Sequence, residues 1–439
     1  MVAVWEELRR CRACGGTNFK EVINLGQQEV VDFPLSRNAE VLRAPLHAVR
    51  CSSCQLVQLK QTVTKERLFR HMWYRSSISE SMKSSLEDIV KRVNSCIHLE
   101  SGDRVLDIGC NDGYTLSVYP KFVKTVGIDP CEELVHEASR LKRADIAITG
   151  FFSADRLYTF GPFKVITAIA MFYDVPNPQK FLEDCRNLLT DDGLLVIQMN
   201  YLKTMLEETT VDNISHEHLT YWSMTTLSDV VEAAGLQIQG AETNSVNGGS
   251  MRVYITKKHR SLALPVSKAM QLYGRYQALK LEEEKMGLSS DGVYFRFRER
   301  VGQIKNSLGS YLLHQKEQGA KLYICGASTR GTALVQILDL PEGTFLGAAE
   351  RDEKKFDHYM VGCWAKIMPE EDVRADATHM LVLPYHFAEQ IKLREQQWLA
   401  MGGTLIFPLP TPTILYEGEE RIMRLGTNEW VAPSTEAVQ

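Results

Sequence analysis

Val105-Leu106-Asp107-Ile108-Gly109-Cys110-Asn111-Asp112-Gly113 reads as a buried strand that breaks at a glycine turn and runs into a helix. Around it, apolar stretches at 104–108, 125–129, 163–168 and 194–198 alternate with helical segments. That alternation predicts an α/β fold, a parallel sheet with helices on both faces. Ligands of such sheets bind beyond the carboxyl ends of the strands, and Gly109 lets backbone approach one closely. Asp129 ends the next strand, 22 residues after Asp107, where a carboxylate can accept both hydroxyls of a ribose. Only one glycine falls where G-x-G-x-x-G needs two, which disfavours a nicotinamide dinucleotide.

The D-x-G-x-x-x-G spacing from Asp107 to Gly113, with an acid downstream, is similar to the cofactor loop of class I S-adenosylmethionine methyltransferases. The resemblance implies S-adenosylmethionine as cofactor, held by Asp107, Gly109, Asn111, Asp112, Gly113 and Asp129.

The remaining chain fits around this core. Its 439 residues predict about three domains, and 44% hydrophobic content is ample for packed cores. Fifty Lys and Arg stand against 55 Asp and Glu, a net charge of -5 with no basic stripe, so nucleic acid is not the expected partner. Met1–Arg10 carries Glu6, Glu7, Arg9 and Arg10 and so lacks a signal peptide's apolar core, and no apolar run reaches the roughly 20 residues of a membrane span. A cytoplasmic location is expected. No oligomeric state can be read, and a monomer fits.

Four of ten cysteines form two CxxC pairs, Cys11/Cys14 and Cys51/Cys54, and six are scattered singly. Four thiolates on two tight knuckles close a tetrahedral Zn²⁺ sphere and leave no place for water, which predicts a structural zinc. The organisation expected is a zinc module over 1–75, a cofactor domain over 76–260, a helical bridge over 261–318 and a smaller Rossmann-like α/β domain over 319–439. Met82, Leu86, Ile89, Val90 and Val93 have helical spacing, as do Phe297, Val301, Ile304, Leu308 and Leu312. Glu282-Glu283-Glu284-Lys285 reads as a solvated helix face.

Ser215-His216-Glu217-His218 follows the fourth core strand and lacks the HExxH spacing of a metal helix. In an extended segment, imidazoles two residues apart point to opposite sides, so at most one serves a given site. Either the segment is a polar loop, or one of its residues is a general base, since histidine accepts protons near neutrality. Met171-Phe172-Tyr173-Asp174 follows another strand at the cofactor rim, where Tyr173 is a site candidate although aromatics are more often core. Gly326-Ala-Ser-Thr-Arg-Gly331 leads from strand to helix; phosphate binding aided by Arg330 and plain tight packing both explain it. His71-Met72-Trp73-Tyr74 would join the zinc module to the core.

Taken in order, these strings resemble the sugar C-methyltransferases that build branched deoxysugars on nucleotide carriers, over nearly the full chain. The specific parts are Asp212-Asn-Ile-Ser-His-Glu-His-Leu-Thr-Tyr221 and Asn247-Gly-Gly-Ser-Met-Arg252. The resemblance implies a nucleoside-diphosphate 4-ketosugar substrate, commonly the dTDP form. A base would remove the C3 hydrogen acidified by the ketone, and the enolate would take a methyl group. It places His218, Glu217 and Tyr74 at catalytic positions, with His218 as the base. Tyr173, His216, Tyr221, Asn247, Gly326 and Arg330 are expected at the substrate. Two departures fall in the third domain: Glu350 stands where aspartate is usual, and Pro384-Tyr385-His386 replaces a stretch containing Trp-Asn. O- or N-methylation of a sugar or other metabolite stays open, as does, more remotely, a nucleic-acid methyltransferase.

Overall fold

The computed structural model describes residues 5–262, 264–427 and 429–433. They form two compact units, each assembled from three separate stretches of chain. The first takes 1–21, 49–203 and 217–290, and the second takes 22–48, 204–216 and 291–439.

The first unit is built on a seven-stranded sheet of β1 (Arg104–Ile108), β2 (Lys124–Asp129), β3 (Ile146–Thr149), β4 (Phe163–Ile169), β5 (Leu189–Asn200), β6 (Leu236–Asn244) and β7 (Ser250–Lys257). Their spatial order is β6-β7-β5-β4-β1-β2-β3. β1 to β5 run parallel, and β7 is antiparallel to both β5 and β6. The sheet is thus wider than the four parallel strands expected, because the antiparallel pair is tied by the turn at Val246–Gly248. Strand order reverses beside β1, between β2 and β4, and that is the crevice where such sheets bind ligands.

Alternation along the strands splits the core in two. Val105, Val165, Leu194 and Val196 face helix α1 (Glu80–Cys96), which presents Leu86, Ile89, Val90 and Val93. Leu106, Ile166, Leu195 and Ile197 point to the opposite face, as the two-residue period of a strand requires. Two more helices of this unit bear on the site, α2 (Glu132–Arg140) and α3 (Met224–Ala233).

Near the amino end, Trp5–Glu7 pairs with Gln61–Val63, and Val57–Leu59 pairs with Thr220–Tyr221. Strands Phe19–Glu29 and Arg43–Cys51 are 11 and 9 residues long.

The helical bridge is not one body. α4 (Val266–Met286) belongs to the first unit, and α5 (Asp291–Glu317) lies in the second. On α4, Glu283 corrects the solvated-face reading, since it is only 2% exposed. Its carboxylate accepts hydrogen bonds from Tyr201 Oη at 2.7 Å, Thr225 N at 3.0 Å, Thr225 Oγ1 at 2.7 Å and Met224 N. A negative charge therefore sits at the amino end of α3, where the helix leaves N–H groups unpaired. Glu283→Ala should lower stability by about 1–3 kcal/mol, because it strands buried donors. A shift of the urea midpoint measures it.

The second unit centres on β8 (Leu322–Cys325), β9 (Ala348–Glu350), β10 (Ala365–Pro369), β11 (His379–Val382) and β12 (Thr404–Phe407), parallel in the order β10-β9-β8-β11-β12. α6 (Thr329–Leu338) follows β8. On α5, Phe297, Val301, Ile304, Leu308 and Leu312 are all buried, as their spacing predicts. Glu29 joins this unit through Gln336, whose amide exchanges two hydrogen bonds with the Glu29 backbone at 2.7 and 3.0 Å.

Candidate active site

The four knuckle cysteines converge. Their sulfurs lie within 4.8 Å of one another, with Cys11–Cys54 and Cys14–Cys51 both at 3.6 Å. A disulfide needs about 2.05 Å. Four sulfurs about 2.3 Å from one tetrahedral zinc stand roughly 3.8 Å apart, so the spacing fits the metal. Each knuckle is closed by a backbone bond, Gly15 N to Cys11 O and Gln55 N to Cys51 O, both 3.0 Å. Gln58 Nε2 donates to Cys11 Sγ at 3.1 Å. The Cys11 thiol is held well below its ordinary range, chiefly by Cys54.

At the crevice, the loop after β1 is shaped by close approach. A Cβ on Gly109, at φ 71°, would lie 3.1 Å from Met171 Cγ, and one on Gly113, at φ 77°, would lie 2.9 Å from Ala138 Cβ. Asp107 is buried and accepts a 2.6 Å bond from Thr167 Oγ1. Burial raises its carboxyl to about 7, with Asp129 adding to the effect. Asp129 holds the loop, accepting from Asn111 N and Cys131 N, each at 2.9 Å. Each carboxylate oxygen keeps a second lone pair, so a ribose hydroxyl can still bind there.

Asn111 and Asp112 serve a feature the sequence did not disclose, a strap formed by Tyr74 to Ser77. Asn111 Nδ2 donates to Tyr74 O at 3.1 Å, and Ser76 N donates back to Asn111 Oδ1 at 3.0 Å. Asp112, fully buried, accepts from Ser77 N at 3.1 Å and pairs with Arg143 at 2.9 Å. Arg75 anchors the strap to α2 through Glu137 at 3.2 Å and through Glu133. Tyr74 is therefore carried beside the cofactor loop. The residue as a whole keeps 41% exposure, while desolvation at the phenol raises it above the ordinary range. Nothing in the Ser-rich string 76–81 signalled these contacts, because they join residues about 35 apart.

The loop after β4 opens with Ala170 at φ 52°. Tyr173 is buried, and its ring lies 4.3 Å from that of His218, centroid to centroid. Thr220 Oγ1 donates to Tyr173 O at 3.1 Å, so the Glu217–Tyr221 segment is fastened at the carboxyl end of the sheet. Glu217 is half-buried, and desolvation raises its carboxyl to about 7. Tyr221 is buried in its pairing with Val57, and Asn247 sits at φ 54° in the turn before β7.

His216, Gly326 and Arg330 belong to the second unit. His216 is buried with Nε2 at 3.1 Å from Ala44 O, and desolvation lowers its pKa. A Cβ on Gly326 would meet Pro384 Cδ at 2.8 Å, and one on Gly331 would meet Leu383 Cβ at 2.7 Å. Ser328 Oγ caps Gly331 N at 3.0 Å, and Arg330 pairs with Asp212 at 2.7 Å. Tight packing therefore accounts for both glycines, and the charge of Arg330 is already matched. Asp212 also accepts from Tyr385 Oη at 2.8 Å, within the stretch that departs from the expected pattern.

Three family models match in chain order: a zinc binding domain at 11–69, a methyltransferase domain at 74–240 and a C-methyltransferase C-terminal domain at 245–410. The chain is 24% identical to the C-methyltransferase NovU of Streptomyces niveus, over 92% of this chain and 96% of that one. It is 30% identical to a ubiquinone biosynthesis O-methyltransferase of Glaesserella parasuis, over 22% of this chain and 44% of that protein. Among solved structures, an S-adenosylmethionine-dependent methyltransferase from Clostridium acetobutylicum aligns at 15% identity and TM-score 0.32, over 41% of this chain and 93% of that one.

Proposed function

For this chain, an S-adenosylmethionine-dependent C-methyltransferase of the sugar-methylating family with a structural zinc, we propose that the substrate is a nucleoside-diphosphate 4-keto-deoxysugar, carried on dTDP and methylated at C3 in branched-sugar biosynthesis. The observation that carries this reading is the fastening of Glu217 and His218 beside Tyr173, at the end of the sheet that holds the cofactor loop.

Methylation at carbon needs a carbon nucleophile, and a hydrogen next to a ketone is acidic enough to provide one. The cofactor, when bound, supplies an electrophilic methyl on a sulfonium. His218 takes the C3 proton, while Glu217 and Tyr74 set the polarity around the enolate. Tyr74 is the weaker base, since desolvation works against its phenolate. The ring of His216 already serves the Ala44 carbonyl. Asn247 and Tyr221 complete the sugar site.

Nucleotide 4-ketosugars incubated with enzyme and S-adenosylmethionine should gain the mass of one methyl. Deuterium exchange at C3 that requires the ketone separates carbon from oxygen methylation. Absence of both across the panel would overturn the substrate assignment. Asp129→Ala should weaken cofactor binding by about 1–3 kcal/mol, since it removes the ribose acceptor and frees Asn111 N and Cys131 N. Calorimetry showing unchanged affinity would remove Asp129 from the site.

A further inference from the structure

Asp174 ends the loop after β4, four residues beyond the left-handed Ala170. Non-glycine residues held in that conformation cluster at functional sites. Its neighbour Tyr173 is fixed twice over, by the His218 ring and by the hydroxyl of Thr220. Asp174 is therefore held on the loop that packs against the segment carrying Glu217 and His218. Asp174 is half-buried, yet its Oδ1 is buried and has no hydrogen-bond partner among the described residues. A buried oxygen left without a partner costs stability, and proteins retain such groups where a ligand completes them.

Desolvation holds this carboxyl well above its ordinary value, and the charge of Glu217 adds to the effect. Glu217 is itself raised by desolvation. Both carboxyl groups are thus disfavoured as anions where they stand.

We propose that Asp174 is a catalytic residue whose carboxyl O–H donates a hydrogen bond to the substrate's ketone oxygen as the enolate forms. The inference rests on the ketosugar reading above, and it adds a residue that reading does not use. The electrons balance simply. The C3–H bond breaks, its proton goes to His218, and its electron pair moves into the C3–C4 bond. The C4–O π pair moves onto oxygen, where the Asp174 O–H stabilises the growing charge without transferring its proton. C3 would take the methyl as the methyl–sulfur bond of the sulfonium breaks and leaves its electron pair on sulfur; the carbonyl re-forms, and His218 later releases its proton to water. A buried neutral acid facing an enolate oxygen is an established way to favour enolisation.

The test uses full-length enzyme and a nucleotide 4-ketosugar in D₂O, with C3 exchange followed without S-adenosylmethionine so that enolisation is read alone. Asp174→Ala should slow exchange about 10²-fold or more. Asp174→Asn keeps an N–H donor and should retain more of the exchange than Asp174→Ala. Asp174→Ala should melt at a higher temperature than wild type, because it removes the buried oxygen that lacks a partner among the described residues. Wild-type exchange in both variants would make Asp174 a structural residue and overturn the proposal. Equal loss in both would overturn it in favour of Asp174 as the base. If wild-type enzyme exchanges no ketosugar at all, the substrate assignment falls and the ketone partner of Asp174 falls with it.

Discussion

Replacing His218 by Asn should slow both methyl transfer and C3 exchange about 10²–10⁴-fold, the usual cost of losing a general base. Cofactor affinity should be spared, because Asp107, Gly109 and Asp129 lie on β1, β2 and their loops while His218 lies on a separate segment. The ring of His218 is buried against Tyr173, and asparagine is small enough to enter without displacing it. Parallel assays of Tyr74→Phe decide between the two candidates. Exchange that survives at the wild-type rate in His218→Asn but vanishes in Tyr74→Phe would make Tyr74 the base.

Loss of zinc should be as damaging, by a different route. Structural zinc sites carry apparent binding free energies of about 10–16 kcal/mol at neutral pH, and much of that is folding energy. Cys51→Ser changes a fully buried ligand, so the purified variant should hold well under the one zinc per chain expected of wild type. The effect should reach the catalytic segment. Gln58 bonds Cys11 through its amide and pairs through its backbone with Thr220, two residues from His218. Thermal melting and C3 exchange should therefore fall together. Zinc-free protein that melts and turns over like wild type would contradict this.

Much of the first unit was legible because its signals are local. The apolar runs at β1, β2, β4 and β5 are short and bounded, and the glycines at 109 and 113 mark a loop that needs positive φ. The CxxC pairs carry their geometry in their spacing. β6 and β7 escaped notice because their alternating polar residues, such as Gln237, Gln239 and Arg252, dilute the apolar signal. Glu283 was misread for a related reason. A glutamate among glutamates has the composition of a solvated face, and its burial follows from α3, whose amino end lies about 60 residues earlier in the chain. The strap at Tyr74–Ser77 and the lone acid Asp174 were invisible on the same ground. Their meaning lies in partners brought close by the fold.

The interleaving of the two units has a consequence for how the protein is made. The chain passes from one unit to the other five times, at 21/22, 48/49, 203/204, 216/217 and 290/291. Glu29 leaves the ribosome early, yet Gln336, which exchanges two bonds with it, follows 307 residues later. At about 5–20 residues per second, that interval is roughly 15–60 s of synthesis. Through that time residues 22–48 wait for the rest of their unit, within reach of holding chaperones and proteases. A fragment cut at residue 260 or 318, where the sequence invites a domain boundary, would leave one unit without its early segments and the other with unpartnered strands. Intermediates caught on stalled ribosomes, rather than isolated domains, are where the assembly of this chain can be observed.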